Sequence, residues 1–291
     1  MSDLARRTLP RARMARRRLT AVVGWSVAAV AFGILALAML HILGLTFVRG
    51  LAALGPRILT HNTEGTGGGL HNAIVGTFAL SLGALLLVAP LGVTVGIYLS
   101  EFGHGHFAAL VRFLSDVLVG VPSIVLGYFG YITLVLKFGW RFSLAAGAVT
   151  LAILMLPYVV RTTEQALRRV PVALREAAYA LGGNDRQVVL RILLRAAAPG
   201  VLTGLLLALT LATGETAPLL YTAGWSNYVW SGRLIHQPVA YLTYVIWSFI
   251  GEPFRSAHRL AYAAAFLIVI FILLINGVTR FALARFFGDS R

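Results

Sequence analysis

The sequence predicts an all-α membrane protein with six transmembrane helices, and three observations carry that expectation. Hydrophobic residues make up 58% of the chain and charged residues only 12%, against about 25% charged in an ordinary water-soluble domain. The apolar residues gather into runs at 21–48, 72–99, 108–136, 142–164, 199–222 and 259–285, each as long as the roughly 20 residues that a helix needs to cross a bilayer core. Basic residues alternate between the connecting segments. The tail 1–20 holds seven arginines, 161–198 holds seven and the C-terminal end three, whereas all the segments on the other side share seven basic residues: Arg49, Arg57, Lys137, Arg141, Arg233, Arg255 and Arg259. By the positive-inside tendency this pattern places both ends and the 161–198 loop in the cytoplasm.

In chain order, residues 1–20 are expected to form a basic, disordered cytoplasmic tail. The run from Ala21 to Val48 reads as an uncleaved first span, since the apolar region of a signal peptide is about 7–15 residues. A loop with Gly55-Pro56 and Gly65-Thr66-Gly67-Gly68-Gly69 completes a first unit at 21–70. The main transmembrane domain occupies 71–285 with a structured loop at 165–198, and 286–291 is a short cytoplasmic tail. Residues 223–258 contain only a short apolar stretch, Val239 to Ile250, flanked by Trp225, Tyr228, Trp230, Tyr241, Tyr244 and Trp247. That stretch is too short to span, and the aromatic residues favour a membrane interface, so an interfacial or re-entrant helix outside the cytoplasm is expected.

Composition also excludes several chemistries. With no cysteine, disulfides, thiolate metal sites and cysteine nucleophiles are ruled out. Lys137 is the only lysine and is followed by Phe138-Gly139, so no G-x-x-x-x-G-K-[ST] phosphate loop can be written and the chain is not a P-loop ATPase. The net charge of +15 is interleaved with the apolar runs rather than collected in a basic domain, which argues for topology signals and against nucleic-acid binding.

Two polar segments stand out. Arg175 to Gly200 lies between apolar runs, with Pro171 set to start a helix, Gly182-Gly183 to end it, and Asn184 with Gln187 in capping-box spacing to start a second. The first helix carries small residues at Ala173, Ala177, Ala178 and Ala180, which allow close approach to a partner groove; the plainer alternative is a basic loop that only anchors topology. The other segment, Gly214-Glu215-Thr216-Ala217-Pro218, puts a carboxylate at membrane depth, at a cost of about 2.5–3.5 kcal/mol on insertion scales. With Thr210, Thr213 and Thr216 it forms a polar notch beside a translocation path, unless Glu215 pairs with an arginine of another span or subunit. Pro122-Ser123 interrupts the third run after Arg112 and Asp116, whose i, i+4 spacing suits an internal ion pair with a proline kink. Glu101 is expected to meet the loop region. His104 and His106 are two turn histidines without further ligands, and His41 reads as a satisfied interior histidine.

The spacing Glu176-Ala177-Ala178-x-x-x-Gly182 resembles the EAA loop of ABC-importer permeases, which sits in a groove on the ATPase subunit. More broadly, several phrases together resemble the PstA family of phosphate-importer permeases. They are Gly76-Thr77, Pro90 to Val93, Ile97 to Glu101, Gly120 to Val125, Leu156-Pro157 with Arg161 to Glu164, Val170-Pro171, Arg175 to Gly182 and Gly214 to Leu219. The resemblance implies the type I ABC importer permease fold and a transport subunit without catalytic residues or cofactor, in a bacterial cytoplasmic (inner) membrane. It further implies alternating access for inorganic phosphate, with ATP-Mg bound by the partner ATPase. The implied partners are a homologous PstC-like permease, a homodimeric PstB-like ATPase and an extracytoplasmic PstS-like phosphate-binding protein. Glu176, Ala177, Ala178 and Gly182 would contact the ATPase; Glu215, Thr216, Thr210, Thr213 and Ser123 would line the path. Two positions depart from the family: Leu211 stands where an arginine is common, and Arg195 where the EAA loop normally ends in proline. The partner permease then becomes a source for the positive charge facing an anion. A permease for sulfate or molybdate, a secondary transporter run by ion gradients and a membrane-embedded lipid enzyme are the alternatives.

Overall fold

The computed structural model describes residues 11–287, so the ends of both expected tails lie outside the described residues. The chain divides into two compact units after Arg49. Helix α1 (Arg11–Ala53) begins before the expected boundary at residue 21. Arg11 to Leu19 contains only good helix formers and no breaker, so Arg11, Arg13, Arg16, Arg17 and Arg18 ride on its first turns, while Arg6 and Arg7 lie outside the described residues. Between Leu19 and Leu43 most of its apolar side chains, Trp25 and Phe32 among them, are exposed, as suits a span solvated by lipid.

In the second unit, α2 (Pro56–Thr60) leads into a two-stranded hairpin, β1 (Thr63–Glu64) and β2 (Gly67–Gly68), with Thr63 opposite Gly68. Asn72 ties the hairpin down, since its Oδ1 accepts from the Thr63 amide at 3.1 Å and hydroxyl at 3.0 Å. Helix α3 (His71–Ile97) continues through a π-helical turn at Tyr98–Phe102. Helices α4 (Gly105–Gly120) and α5 (Ser123–Gly130, with a π-helical extension Tyr131–Lys137) follow. They meet at 101°, which corrects the expected kink in a single rod. Val121, held extended before Pro122, breaks the helix outright. Helix α6 (Leu144–Arg168) starts on a Ser143 cap; α7 (Val172–Ala180) and α8 (Asp185–Gln187) form an elbow. A π-helical turn, Val188–Leu193, leads from the elbow into α9 (Leu194–Gly214). The short α10 (Ala217–Thr222) and α11 (Leu242–Phe249) precede α12 (Arg255–Phe287). Among the described residues five helices are long and apolar enough to cross a membrane, and six if the bent α4–α5 pair is one span.

Glycines set the packing. A Cβ on Gly92 would lie 2.7 Å from a Val159 methyl, and one on Gly96 would lie 2.6 Å from Thr163 Cβ and 2.9 Å from the Val160 carbonyl. Helices α3 and α6 therefore run side by side in the same direction at close range, as small residues permit in membrane helices. Gly200 meets Ala166 and Gly204 meets Thr162, so α9 returns antiparallel to α6. Leu80, Ala84, Leu151, Met155, Val159, Ala208 and Ala212 fill the core between them. Helix α11 spans only eight residues and buries Leu242, Val245 and Phe249 against Ala257, Leu260 and Ala261 of α12. Its neighbour Tyr241 does not occupy an interface as expected; it is buried in the bundle core, whereas Tyr228 and Trp247 are exposed.

Candidate functional site

The elbow is built by local chemistry and then bolted to the bundle. At the end of α7, Gly182 adopts φ +81°, its amide donates to Tyr179 O at 2.9 Å, and the Gly183 amide donates to Ala178 O at 3.2 Å. This is the paired closure of a left-handed helix cap, and glycine carries it without a Cβ penalty. Asn184 then opens α8: the Gln187 amide donates to Asn184 Oδ1 at 2.9 Å, while Gln187 Oε1 accepts from the Asn184 amide at 3.2 Å. Both orphan donors are satisfied reciprocally.

Under the elbow, Leu167, Val170, Val188, Val189, Leu193, Ala197 and Val201 form an apolar cluster that includes Ala178. Ala178 is therefore buried and holds the elbow to the bundle, which corrects its expected place on a partner-facing surface. Ala173, Glu176, Ala177, Ala180 and Gly182 are exposed. Leu181 is 90% exposed, and Val172 and Tyr179 join it in an apolar rim. Desolvation, together with the hydrogen bond to Asp185, raises the pKa of the Tyr179 phenol above its ordinary value.

Ion pairs fasten this end. Arg175 on α7 pairs with Glu101 in the π-helical turn that follows α3 and donates to Leu167 O at 2.7 Å. The expected contact between Glu101 and the loop is thus present. The expected Arg112–Asp116 pair is not. Arg112 Nε reaches Glu164 Oε1 at 2.8 Å, and its Nη2 donates to Leu99 O at 2.8 Å; Asp116 pairs with Arg161 instead. The buried Glu164 carboxylate needs compensation far more than the half-exposed Asp116, so it captures Arg112 as well as Arg168, at 2.7 Å. Sequence reading assigned Glu164 no role. The signal available was its Glu-to-Arg i, i+4 spacing with Arg168, the favourable orientation on a helix.

The expected polar notch lies where α9 stops. Glu215 leaves helical geometry at ψ 135°, its amide still donating to Ala212 O at 3.2 Å, and Thr216 immediately precedes α10, which has Pro218 in its first turn. The Glu215 carbonyl accepts from the Thr243 hydroxyl at 2.8 Å, which holds the break against α11. Among the described residues the half-buried Glu215 carboxylate has no ion-pair partner within the chain. Thr216 and Thr210 are half-buried beside it, the Thr210 hydroxyl donating to Leu206 O at 2.9 Å. Thr213 does not line an open path. It is buried, donates to Leu209 O at 2.8 Å and faces Ser81 Oγ at 3.4 Å, so it belongs to the α3–α9 packing. Half-buried Ser123 is one turn before Gly127 on α5, and a Cβ at Gly127 would be 2.5 Å from Pro218 Cα. Tertiary packing thus brings the α5 start to the notch. Thr203, Leu207, Leu211 and Gly214 are all exposed along one face of α9, a stripe that ends at Glu215. Thr203 and Leu207 also line a cavity of about 530 Å³ with Thr162, Gln165 and Arg169 at the elbow end. No group of three or more His, Asp or Glu side chains gathers as a metal site among the described residues.

The geometry defines a helical membrane subunit with a projecting elbow at one end and a polar break within its bundle. Residues 92–287 match the family described as "Binding-protein-dependent transport system inner membrane component". Phosphate transport system permease protein PstA 2 of Mycobacterium bovis is 45% identical over 265 residues, covering 91% of this chain and 88% of that protein. The PstA proteins of Yersinia pestis and Haemophilus influenzae are 42% and 44% identical, over 89% and 80% of this chain and 88% and 82% of their own. The chain belongs to the binding-protein-dependent transport inner-membrane components and, within them, to the PstA permeases. A chain of the inward-facing MetNI methionine ABC transporter superposes with a TM-score of 0.60 at 20% identity, over 74% of this chain and 95% of that one, a likeness of fold.

Proposed function

We propose that this chain is the membrane permease subunit of an ATP-driven importer that moves inorganic phosphate across the cytoplasmic membrane by alternating access. The elbow faces the cytoplasm in this reading. It docks a PstB-like ATPase that binds ATP-Mg, a PstC-like permease completes the path, and a PstS-like protein delivers phosphate from outside. The observation that carries the reading is the doubly capped elbow, whose outer face leaves Leu181 90% exposed while its inner face is fastened by Arg175–Glu101. Such a part receives a push on one side and passes it to α3 and α6 on the other.

Mechanically, displacement of α7 acts on the α3 end through Arg175–Glu101 and on the α6 end through the Leu167 carbonyl. Because α3 and α6 touch through Gly92 and Gly96, they shift as one body. The α9 stripe from Thr203 to Gly214 is open in the single subunit and suits the wall of a path closed by a second permease. At its end the unpaired Glu215 accepts the proton-bearing hydroxyl of hydrogen phosphate and disfavours an anion lacking that proton, such as sulfate, by like-charge repulsion.

The test is Glu176→Lys, which places a positive charge on the exposed face of α7 without touching the inner cluster. Membrane insertion is expected to persist while ATPase association and phosphate uptake fall together. Full uptake by this variant would remove the docking role of the elbow.

A further inference from the structure

At the end of the bundle opposite the elbow, three arginines converge where basic residues are scarce. Arg57 on α2 and Arg255 and Arg259 on α12 line a pocket of about 650 Å³, floored by Gly55, Gly67 and Gly68. They are three of only seven basic residues in the segments assigned to that side by charge counting. No carboxylate lines the pocket. Arg259 donates to the Ala53 carbonyl from Nε and Nη2 at 3.4 and 3.3 Å, and among the described residues none of the three makes an ion pair. Neither Glu64 nor Glu252, the acids closest in sequence, forms an ion pair with them among the described residues.

Three like charges around one cavity repel one another, a cost that a bound anion removes. Guanidinium forks match the oxygens of a phosphate group in bidentate geometry. The pocket also opens at the start of the span Arg255–Val278, the depth at which a bilayer presents its headgroups. We infer that Arg57, Arg255 and Arg259 form a second anion site, separate from the Glu215 notch, that binds a phosphate group. The group belongs either to free inorganic phosphate or to the headgroup of an anionic lipid.

The full-length chain, assembled with its partner permease and ATPase in phosphatidylcholine nanodiscs, is compared with Arg57→Gln/Arg255→Gln/Arg259→Gln. One arm measures radiolabelled inorganic phosphate binding without the extracytoplasmic binding protein, repeated in a Glu215→Ala background so that the notch does not contribute. The other, in phosphatidylcholine nanodiscs doped with phosphatidylglycerol, measures how much of the anionic lipid the complex retains in native mass spectrometry. At about fivefold per basic residue beside an anionic group, the triple variant is expected to weaken binding on the order of 100-fold in one arm. Loss in the first arm identifies free phosphate, and loss in the second a lipid headgroup. The single variant Arg255→Gln, which removes no hydrogen bond seen within the chain, is expected to weaken the same arm about fivefold and guards against misfolding. Unchanged binding of both anions overturns the proposal.

Discussion

Replacing Arg175 with alanine tests the mechanical argument most directly. The Arg175 side chain is 22% exposed and its partner Glu101 only 8%, so the substitution leaves a nearly buried carboxylate with the Ser100 hydroxyl, at 2.7 Å, in place of its counter-charge and deletes the charge-assisted bond to the Leu167 carbonyl at 2.7 Å. Breaking a fully buried pair from one side costs about 3–5 kcal/mol. Because Arg175 keeps some contact with water, a loss of about 2–3 kcal/mol is expected here. The matched control is Arg161→Ala, whose pair with Asp116 is 48% and 51% exposed; a pair of that kind is worth about 0–1 kcal/mol. Thermal unfolding of the purified complex reads the stability difference, and phosphate transported per ATP hydrolysed in proteoliposomes reads the coupling. Arg175→Ala is expected to lower both, with Glu101→Arg/Arg175→Glu restoring part of each. If Arg175→Ala is no more harmful than Arg161→Ala in either assay, the Glu101 fastening does not transmit motion.

Glu215→Ala is expected to abolish phosphate uptake while ATPase assembly, followed by co-purification, stays intact; normal transport would reduce Glu215 to a structural cap. Gly96→Ala forces a Cβ to within 2.6 Å of Thr163 Cβ and 2.9 Å of a backbone carbonyl, so a destabilisation of about 1–3 kcal/mol is expected by chemical or thermal unfolding. Asn184→Ala removes the Gln187 amide's acceptor at 2.9 Å; a loss of about 1 kcal/mol, confined to the elbow, should appear as faster amide exchange in α8 with the α3–α6 core unchanged.

The corrections share a physical origin. The elbow was legible because its determinants are local: Gly182, Gly183, Asn184 and Gln187 act within a few residues of one another. Spans were legible because lipid demands long apolar runs. Ala178 and Thr213 were misplaced because in a lipid-solvated bundle every face of a helix is apolar or small, so periodicity does not tell a protein-facing side from a lipid-facing one. Arg112 was assigned to Asp116 because spacing on one helix is visible, while the nearness of Glu164, 52 residues later, is not.

Sequence alone determined that this chain is built of membrane-spanning apolar runs, cannot form a P-loop and carries a capped elbow and a carboxylate at the end of an apolar run. Each of these follows from composition or from contacts within one or two helical turns. Tertiary structure alone decided the 101° break between α4 and α5, the choice of Glu164 over Asp116, the inward turn of Ala178 and the gathering of Arg57, Arg255 and Arg259 around one pocket. Those outcomes depend on which helix faces meet, and close packing settles that by the fit of distant side chains.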